Sequence, residues 1–160
     1  MNRTHTRKSA ATAIGIVLLA IAATAFIPAR SSAQVDVDVR GGVYTDRSAL
    51  ALGAGLLTSV GTSWWFNPNL EAAMGDGSDL ITVNGDFHYD IPTGDPVSIY
   101  FGGGPALLFV NPEGNGDGST DVGLNLIGGV AGRGAARPFG QVKAVLSDNS
   151  EVALMGGIRF

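Results

Sequence analysis

The 160-residue chain carries 14 acidic residues against 10 basic ones, no cysteine, and only 15% charged residues. That balance excludes a nucleic-acid binder, which needs a basic face, and the missing cysteines exclude a disulfide scaffold. A charge fraction below the roughly 25% of soluble domains, together with 24 glycines, points away from an ordinary water-soluble globule.

Arg3, Arg7 and Lys8 precede an apolar stretch from Ala10 to Ile27. Pro28 ends it, and Ser31-Ser32-Ala33 sets small residues before a cut at Gln34, the pattern of a secretory signal peptide. A permanent transmembrane anchor is the alternative, since roughly 18 apolar residues just span a bilayer. The small-residue site and the change of composition after it favour cleavage. The expected organisation is a cleaved signal peptide over 1–33 and one domain over 34–160. That domain holds 6 basic residues against 14 acidic ones. It contains no second long apolar run, so any membrane crossing is by strands and not helices.

From Val35 onward apolar residues recur at every second position, the period of a β-strand with two unlike faces. Val35, Val37, Val39 and Val43 oppose Asp36, Asp38, Arg40 and Tyr44, and Thr45 to Ser48 turn. Ala49 to Ser59 sets Leu50, Leu52, Ala54 and Leu56 against small residues. The third segment opposes Trp64, Phe66, Leu70, Ala72 and Met74 to Trp65, Asn67, Asn69 and Glu71; Pro68 inside it predicts a bulge or a late start. Gly75 to Asp79 reads as a loop. Ile81, Val83, Phe87, Tyr89 and Ile91 then oppose Thr82, Asn84, Asp86, His88 and Asp90.

The fifth segment, Val97 to Val110, has Val97, Ile99, Phe101, Leu107 and Phe109 on one face, with Pro105 as an irregularity. Asn111 to Asp121 reads as the longest loop. Val122, Leu124, Leu126 and Val130 follow, facing away from Asn125 and Ile127. Gln141 and Lys143 then oppose Val142, Ala144 and Leu146, with Phe139 on the polar side. Ser147 to Ser150 turns into the last segment, where Val152, Leu154, Gly156 and Ile158 oppose Glu151, Ala153, Met155, Gly157 and Arg159, and Phe160 follows.

Eight segments of about ten residues with short connections leave no room for crossover helices and predict an antiparallel meander. At about 3.3 Å per residue and a tilt near 45°, each just crosses a hydrocarbon layer. An even count lets the last strand pair with the first and removes both edges. The expected fold is all-β: an eight-stranded antiparallel up-and-down transmembrane β-barrel.

Alternation alone does not say which face is outside, and a soluble lipocalin-like barrel binding an apolar ligand has the same period with the faces reversed. Three features favour lipid outside. The polar face is filled with Gly and Ala, which suits a narrow lumen. Trp64, Phe66, Phe87, Tyr89, Phe101 and Phe160 fall toward the end holding the chain termini, as an interfacial girdle does, with Tyr44 and Phe109 toward the other end. Acids and bases share the polar face: Asp36, Asp38, Glu71, Asp86, Asp90 and Glu151 with Arg40, Lys143 and Arg159, beside His88. Together these ten form a predicted luminal polar network.

The signal peptide, the Gly-rich strands, and the run from Arg137-Pro138-Phe139-Gly140-Gln141-Val142-Lys143 to Gly157-Ile158-Arg159-Phe160 resemble the small outer-membrane barrels of Gram-negative bacteria, the OmpX-like and OmpA-barrel-like, porin-like proteins. Ile158 stands where many members carry an aromatic. The resemblance implies residence in the cell outer membrane, contact with outer-membrane lipid and lipopolysaccharide, and recognition of the C-terminal strand by the barrel-assembly machinery. It implies a structural or interaction role with at most a narrow solute path, a monomer, and no enzyme or cofactor.

The enzyme alternative is a lipid-modifying barrel using His88 and Ser98, but in this phase both point into the lumen, away from lipid. Glu113, Asn115, Asp117, Gly118 and Asp121 resemble the start of a calcium loop, yet Leu124 stands where the closing Glu belongs. The segment reads as a solvated loop with no metal. Trp64-Trp65 reads as an interfacial anchor and not as a ligand platform, and the Gly runs lack the helix and Lys of a phosphate loop.

Overall fold

The structure, a computed structural model, describes residues 35–75, 77–93, 96–112 and 117–160. The signal-peptide reading of 1–33 lies outside the described residues, as do Glu113 and Asn115 of the candidate calcium loop.

Eight strands follow in order: β1 (Val35–Tyr44), β2 (Ala49–Ser59), β3 (Trp64–Gly75), β4 (Ser78–Pro92), β5 (Val97–Pro112), β6 (Ser119–Gly132), β7 (Arg137–Leu146) and β8 (Glu151–Arg159). Each pairs antiparallel with the next, and β1 pairs with β8 from Asp38↔Arg159 to Tyr44↔Ala153, which closes the barrel. Phe160 extends that seam by exchanging backbone hydrogen bonds with Val37, at 2.9 and 3.1 Å. Closure leaves no strand edge unpaired through the barrel wall.

The period-two pattern fixes which side chains face out. In β2, Ala49, Ala51, Gly53 and Gly55 are buried, while Leu50 and Leu52 are 70% and 61% exposed. Every strand contributes to the outer band: Val39, Leu50, Met74, Val83, Phe101, Leu126, Val142 and Leu154 are all exposed. Leaving such a side chain in water forfeits roughly 1.5–3 kcal/mol, so a band of this kind around the whole wall is stable only against lipid. Asp38, Arg40, Glu71, Asp86, His88 and Lys143 are buried inside. This is the reverse of a soluble ligand-binding barrel.

The aromatic residues at the termini end of the barrel, where β1 begins and β8 ends, pack on one another across β3, β4 and β5. Trp64 meets Tyr89 edge-on at 5.3 Å between ring centroids, Phe66 lies 4.6 Å from Phe87, and Tyr89 lies 5.9 Å from Phe101. Trp64, Phe87, Phe101 and Phe160 are exposed on the outer surface, as membrane-interface residues are. Tyr44 does not join a second girdle at the other end: it is fully buried, because its strand phase is that of Asp38 and Arg40.

Several local readings are corrected. β3 keeps a single register with β4 from Trp64↔Tyr89 to Gly75↔Ser78, so Pro68 produces neither a bulge nor a late start. The missing N–H shows on the β2 side, where pairing lapses between Gly55↔Asn69 and Thr58↔Phe66 with no residue inserted. The Leu56 carbonyl there accepts from Asn67 Nδ2 at 2.6 Å instead. At Pro105 the β4–β5 pairing lapses in the same way between Asn84↔Ala106 and Phe87↔Gly103, again without a change of register.

The segments are not uniform in length. β4, β5 and β6 have 15, 16 and 14 residues, while β7 and β8 have 10 and 9. Asn111, Pro112 and Ser119 to Asp121, read as loop, belong to β5 and β6. Of the Gly75 to Asp79 loop, Gly75 belongs to β3 and Ser78 and Asp79 to β4, and Gly77 takes φ 97°, a conformation that costs Gly little.

Candidate functional site

The interior of the barrel divides into a polar knot and a cavity. The knot is built by inward residues of β1, β3 and β7. Arg40 donates to both carboxylate oxygens of Asp38, Nε to Oδ1 at 2.8 Å and Nη2 to Oδ2 at 2.7 Å. It also donates to Asn67 Oδ1 at 2.8 Å and, through Nη1, to Glu71 Oε1 at 3.3 Å. Glu71 Oε2 accepts from Tyr44 Oη at 2.7 Å and from Lys143 Nζ. The charged side chains of this cluster, Asp38, Arg40, Glu71 and Lys143, are inaccessible to solvent.

Two carboxylates thus face two cations, and each bonded group has an acceptor or donor of the right kind. That is the condition under which buried charge is tolerated. An amide ladder continues the knot toward β6. Asn69 Nδ2 and Asn125 Nδ2 donate to the two oxygens of Asp86 at 2.9 and 2.8 Å, and Asn84 Nδ2 donates to Asn69 Oδ1 at 2.9 Å. The side chains that fill the lumen come from strands far apart in sequence. They meet because eight strands enclose a space about one layer of side chains wide.

Beyond the knot, toward the termini end of the barrel, lies a cavity of about 540 Å³. Trp65, Leu57, Asp90, Ser98, Arg133, Arg137 and Arg159 are among its lining residues. Arg137 pairs with Asp36 at its rim. Arg159 is held between two rings, 4.9 Å from the Tyr100 centroid and 4.5 Å from that of Phe139. Glycine makes room for those rings: a Cβ on Gly129 would sit 2.5 Å from the Tyr100 ring, and one on Gly157 would sit 2.7 Å from Phe139. Phe139, out of place on a polar face in the sequence, is buried as the partner of Arg159 and, at 5.6 Å, of Arg40.

All ten of the charged and histidine positions singled out in the sequence line the interior or its mouths. Asp38, Arg40, Glu71 and Lys143 meet in the knot, and Asp86 meets the amide ladder. Asp36, Asp90 and Arg159 belong to the cavity. Glu151 sits at the opposite mouth, where Arg47 Nε donates to it at 2.9 Å. His88 is buried behind the cavity against Tyr100, 4.9 Å between rings, with Nε2 3.5 Å from Asp90 Oδ1.

The sequence reading missed Tyr44, Asn67, Asn69, Asn84, Asn125 and Gln141 as members of the network. Their phase within each strand was the available signal. It also read Arg47 as a turn residue and gave Arg137 no place in the network, whereas both reach back to carboxylates at the two mouths. Trp65 is corrected as well: Trp64 faces outward, but Trp65 follows the phase of Asn67 and lines the cavity.

His88 and Ser98 do not form a dyad. His88 stands opposite Gly102 and Ser98 opposite Pro92, four residues along the β4–β5 pair, which is about 13 Å at strand rise. Ser98 Oγ is directed to the Ala131 carbonyl at 3.4 Å. Among the described residues no group of three or more acidic or histidine side chains could hold a metal ion, and Asp117 and Asp121 enter no such group.

No family model matches the chain, and no curated protein matches it in sequence. Solved structures do match. The N-terminal β-barrel domain of Pseudomonas aeruginosa OprF superposes with a TM-score of 0.69 at 14% identity, covering 81% of this chain and 98% of that one. Neisserial surface protein A gives 0.60 at 16% identity, with 79% and 94% covered. The outer membrane enzyme PagL gives 0.54 at 15% identity, with 78% and 98% covered.

The fold is that of the small eight-stranded outer-membrane barrels. At such identities the likeness carries strand number, closure and shape. It carries no site residue from any of the three, so the chemistry of this small barrel rests on its own lumen.

Proposed function

We propose that the protein is an integral outer-membrane barrel with a structural or interaction role and at most a narrow solute path. The observation that carries this reading is the pairing of a lipid-compatible outer band with a lumen blocked midway by Arg40, Glu71 and Lys143. A water-filled pore needs a continuous open path, and an eight-strand lumen is normally filled by its own side chains. On the same reading the chain is exported by its N-terminal segment, the barrel works as a monomer, and its constant partners are outer-membrane lipid and lipopolysaccharide. The assembly machinery takes hold of the C-terminal strand β8. The separation of His88 from Ser98 along β4 and β5 disfavours the lipid-modifying alternative.

The test has two parts. Outer-membrane fractions run with and without boiling should show a heat-dependent shift of this protein, and N-terminal sequencing of that band should begin at Gln34. The purified barrel in planar bilayers should then give no steady open-pore current. Protein recovered only from the soluble periplasm, with no shift, removes the membrane reading. A steady large current removes the closed-lumen reading.

A further inference from the structure

The cavity at the termini end differs from the knot in one respect that points to a ligand: its lining has more arginines than carboxylates, and the buried Arg159 keeps an unpartnered donor. Arg159 is 3% exposed, yet its Nε has no hydrogen-bond partner, although Asp38 and Asp90 lie near enough to act on its charge. A buried guanidinium carries five donors and cannot lose its proton, so it needs an anion or water opposite it. The two rings that clamp Arg159 fix its plane, and the Tyr100 hydroxyl shares one hydrogen bond with it, but Nε is left without an acceptor.

The rest of the lining has the same bias. Three arginines, Arg133, Arg137 and Arg159, share the wall with two carboxylates, Asp36 and Asp90. Arg137 is committed to Asp36, and Asp90 faces His88. Asp90 also faces Arg133 and Arg159, so these two arginines share one carboxylate and one positive charge remains for whatever enters. Thr62, Ser63 and Ser98 add hydroxyl groups, and Trp65 with Leu57 gives an apolar surface on one side.

We propose that this cavity is a binding site for a small organic carboxylate, held by Arg159 and Arg133 with its apolar part against Trp65. A volume of about 540 Å³ lies within the ~300–1,000 Å³ of small-molecule sites. The planar guanidinium fork of Arg159 matches a carboxylate in two parallel hydrogen bonds. The single excess positive charge of the lining suits a monoanion, since Asp36 and Asp90 repel a more highly charged phosphate. The knot of Arg40, Glu71 and Lys143 closes the inner side, so the ligand enters and leaves by the termini end only.

The chain has two tryptophans, and Trp64→Phe leaves Trp65 as the single reporter inside the cavity. The full barrel carrying that substitution, purified in detergent micelles, is titrated with benzoate and, separately, with its neutral counterpart benzamide. Benzoate should change Trp65 emission to saturation, and benzamide should not. Adding Arg159→Gln should weaken benzoate binding about tenfold or more, as expected for the loss of a charge-assisted pair. The heat shift on gels shows whether that variant is folded. If it is not, Arg133→Gln, in an exposed turn, takes its place with an expected loss of about threefold from one solvent-shared charge. Absence of saturation with benzoate, an equal response to benzamide, or undiminished affinity in the folded arginine variant each overturns the proposal.

Discussion

The two halves of the lumen are built from the same strands and the same alternation, yet they solve the problem of buried polarity differently. In the knot, Asp38, Arg40, Tyr44, Glu71 and Lys143 supply donors and acceptors to one another. In the cavity half, both ring nitrogens of His88, Asp90 Oδ1, Gln141 Nε2 and Arg159 Nε are buried without hydrogen-bond partners, and aromatic rings flank Arg159. The first half is a closed structural element. The second is incomplete as it stands, and its polar groups are available to something else. Charge in a barrel interior is therefore not one category: what matters is whether each donor already has an acceptor.

Four substitutions would break or sharpen that contrast. The largest effect should come from Glu71→Ala, which strands Arg40 and Lys143 in the dry knot. Removing one member of a buried charge network costs about 3–5 kcal/mol. Urea unfolding of the barrel in detergent, followed by tryptophan emission, should show the midpoint falling accordingly. A midpoint equal to that of the parent would mean that water already fills the knot.

Asn125→Ala should come next. It removes the donors to Asp86 Oδ1 and Asn84 Oδ1, at 2.8 and 2.9 Å, and leaves both acceptors buried at a cost of about 2–3 kcal/mol. The same unfolding experiment checks it.

Gly129→Ala addresses the cavity half. Its new methyl would meet the Gly140 carbonyl oxygen and, at 2.5 Å, the Tyr100 ring, and overpacking of this kind costs roughly 1–3 kcal/mol. The displaced ring should also show in the near-ultraviolet circular dichroism. An unchanged spectrum and stability would mean that Tyr100 moves aside freely, so that Arg159 is not clamped.

The smallest effect should belong to His88→Leu. Because neither ring nitrogen has a hydrogen-bond partner, an apolar side chain of similar size should change stability by less than about 1 kcal/mol. Equal losses for His88→Leu and Glu71→Ala would erase the distinction between the two halves.

Much of the wall was legible from sequence because β-structure imposes a period that no neighbour has to supply. The boundaries of β2 follow directly from the run of Leu and Ala between Arg47 and Gly61. The inward phase of Asp38, Arg40, Glu71 and Lys143 follows from the same rule. Pro68 misled because a missing N–H was expected to insert a residue, whereas Asn67 supplied the donor from its side chain. The extent of β4, β5 and β6 was hidden because Ser, Asp and Gly are as compatible with a strand in water as with a loop. Only pairing to a neighbour, such as Val110↔Ser119, shows which they are.

By itself, then, the sequence determined strand number, alternation, and the assignment of apolar residues to one face and polar residues to the other, since these depend on each residue's own backbone geometry and on its transfer free energy. Tertiary structure alone decided which polar residues meet. Glu71 and Lys143 lie 72 positions apart and Arg47 and Glu151 lie 104 apart. Their partnership depends on closure and register, which bring distant strands onto one lumen. The same closure set Asp38 opposite Arg159 across the seam, yet the Asp38 carboxylate is taken by Arg40, and Arg159 Nε is left buried between two rings without a partner.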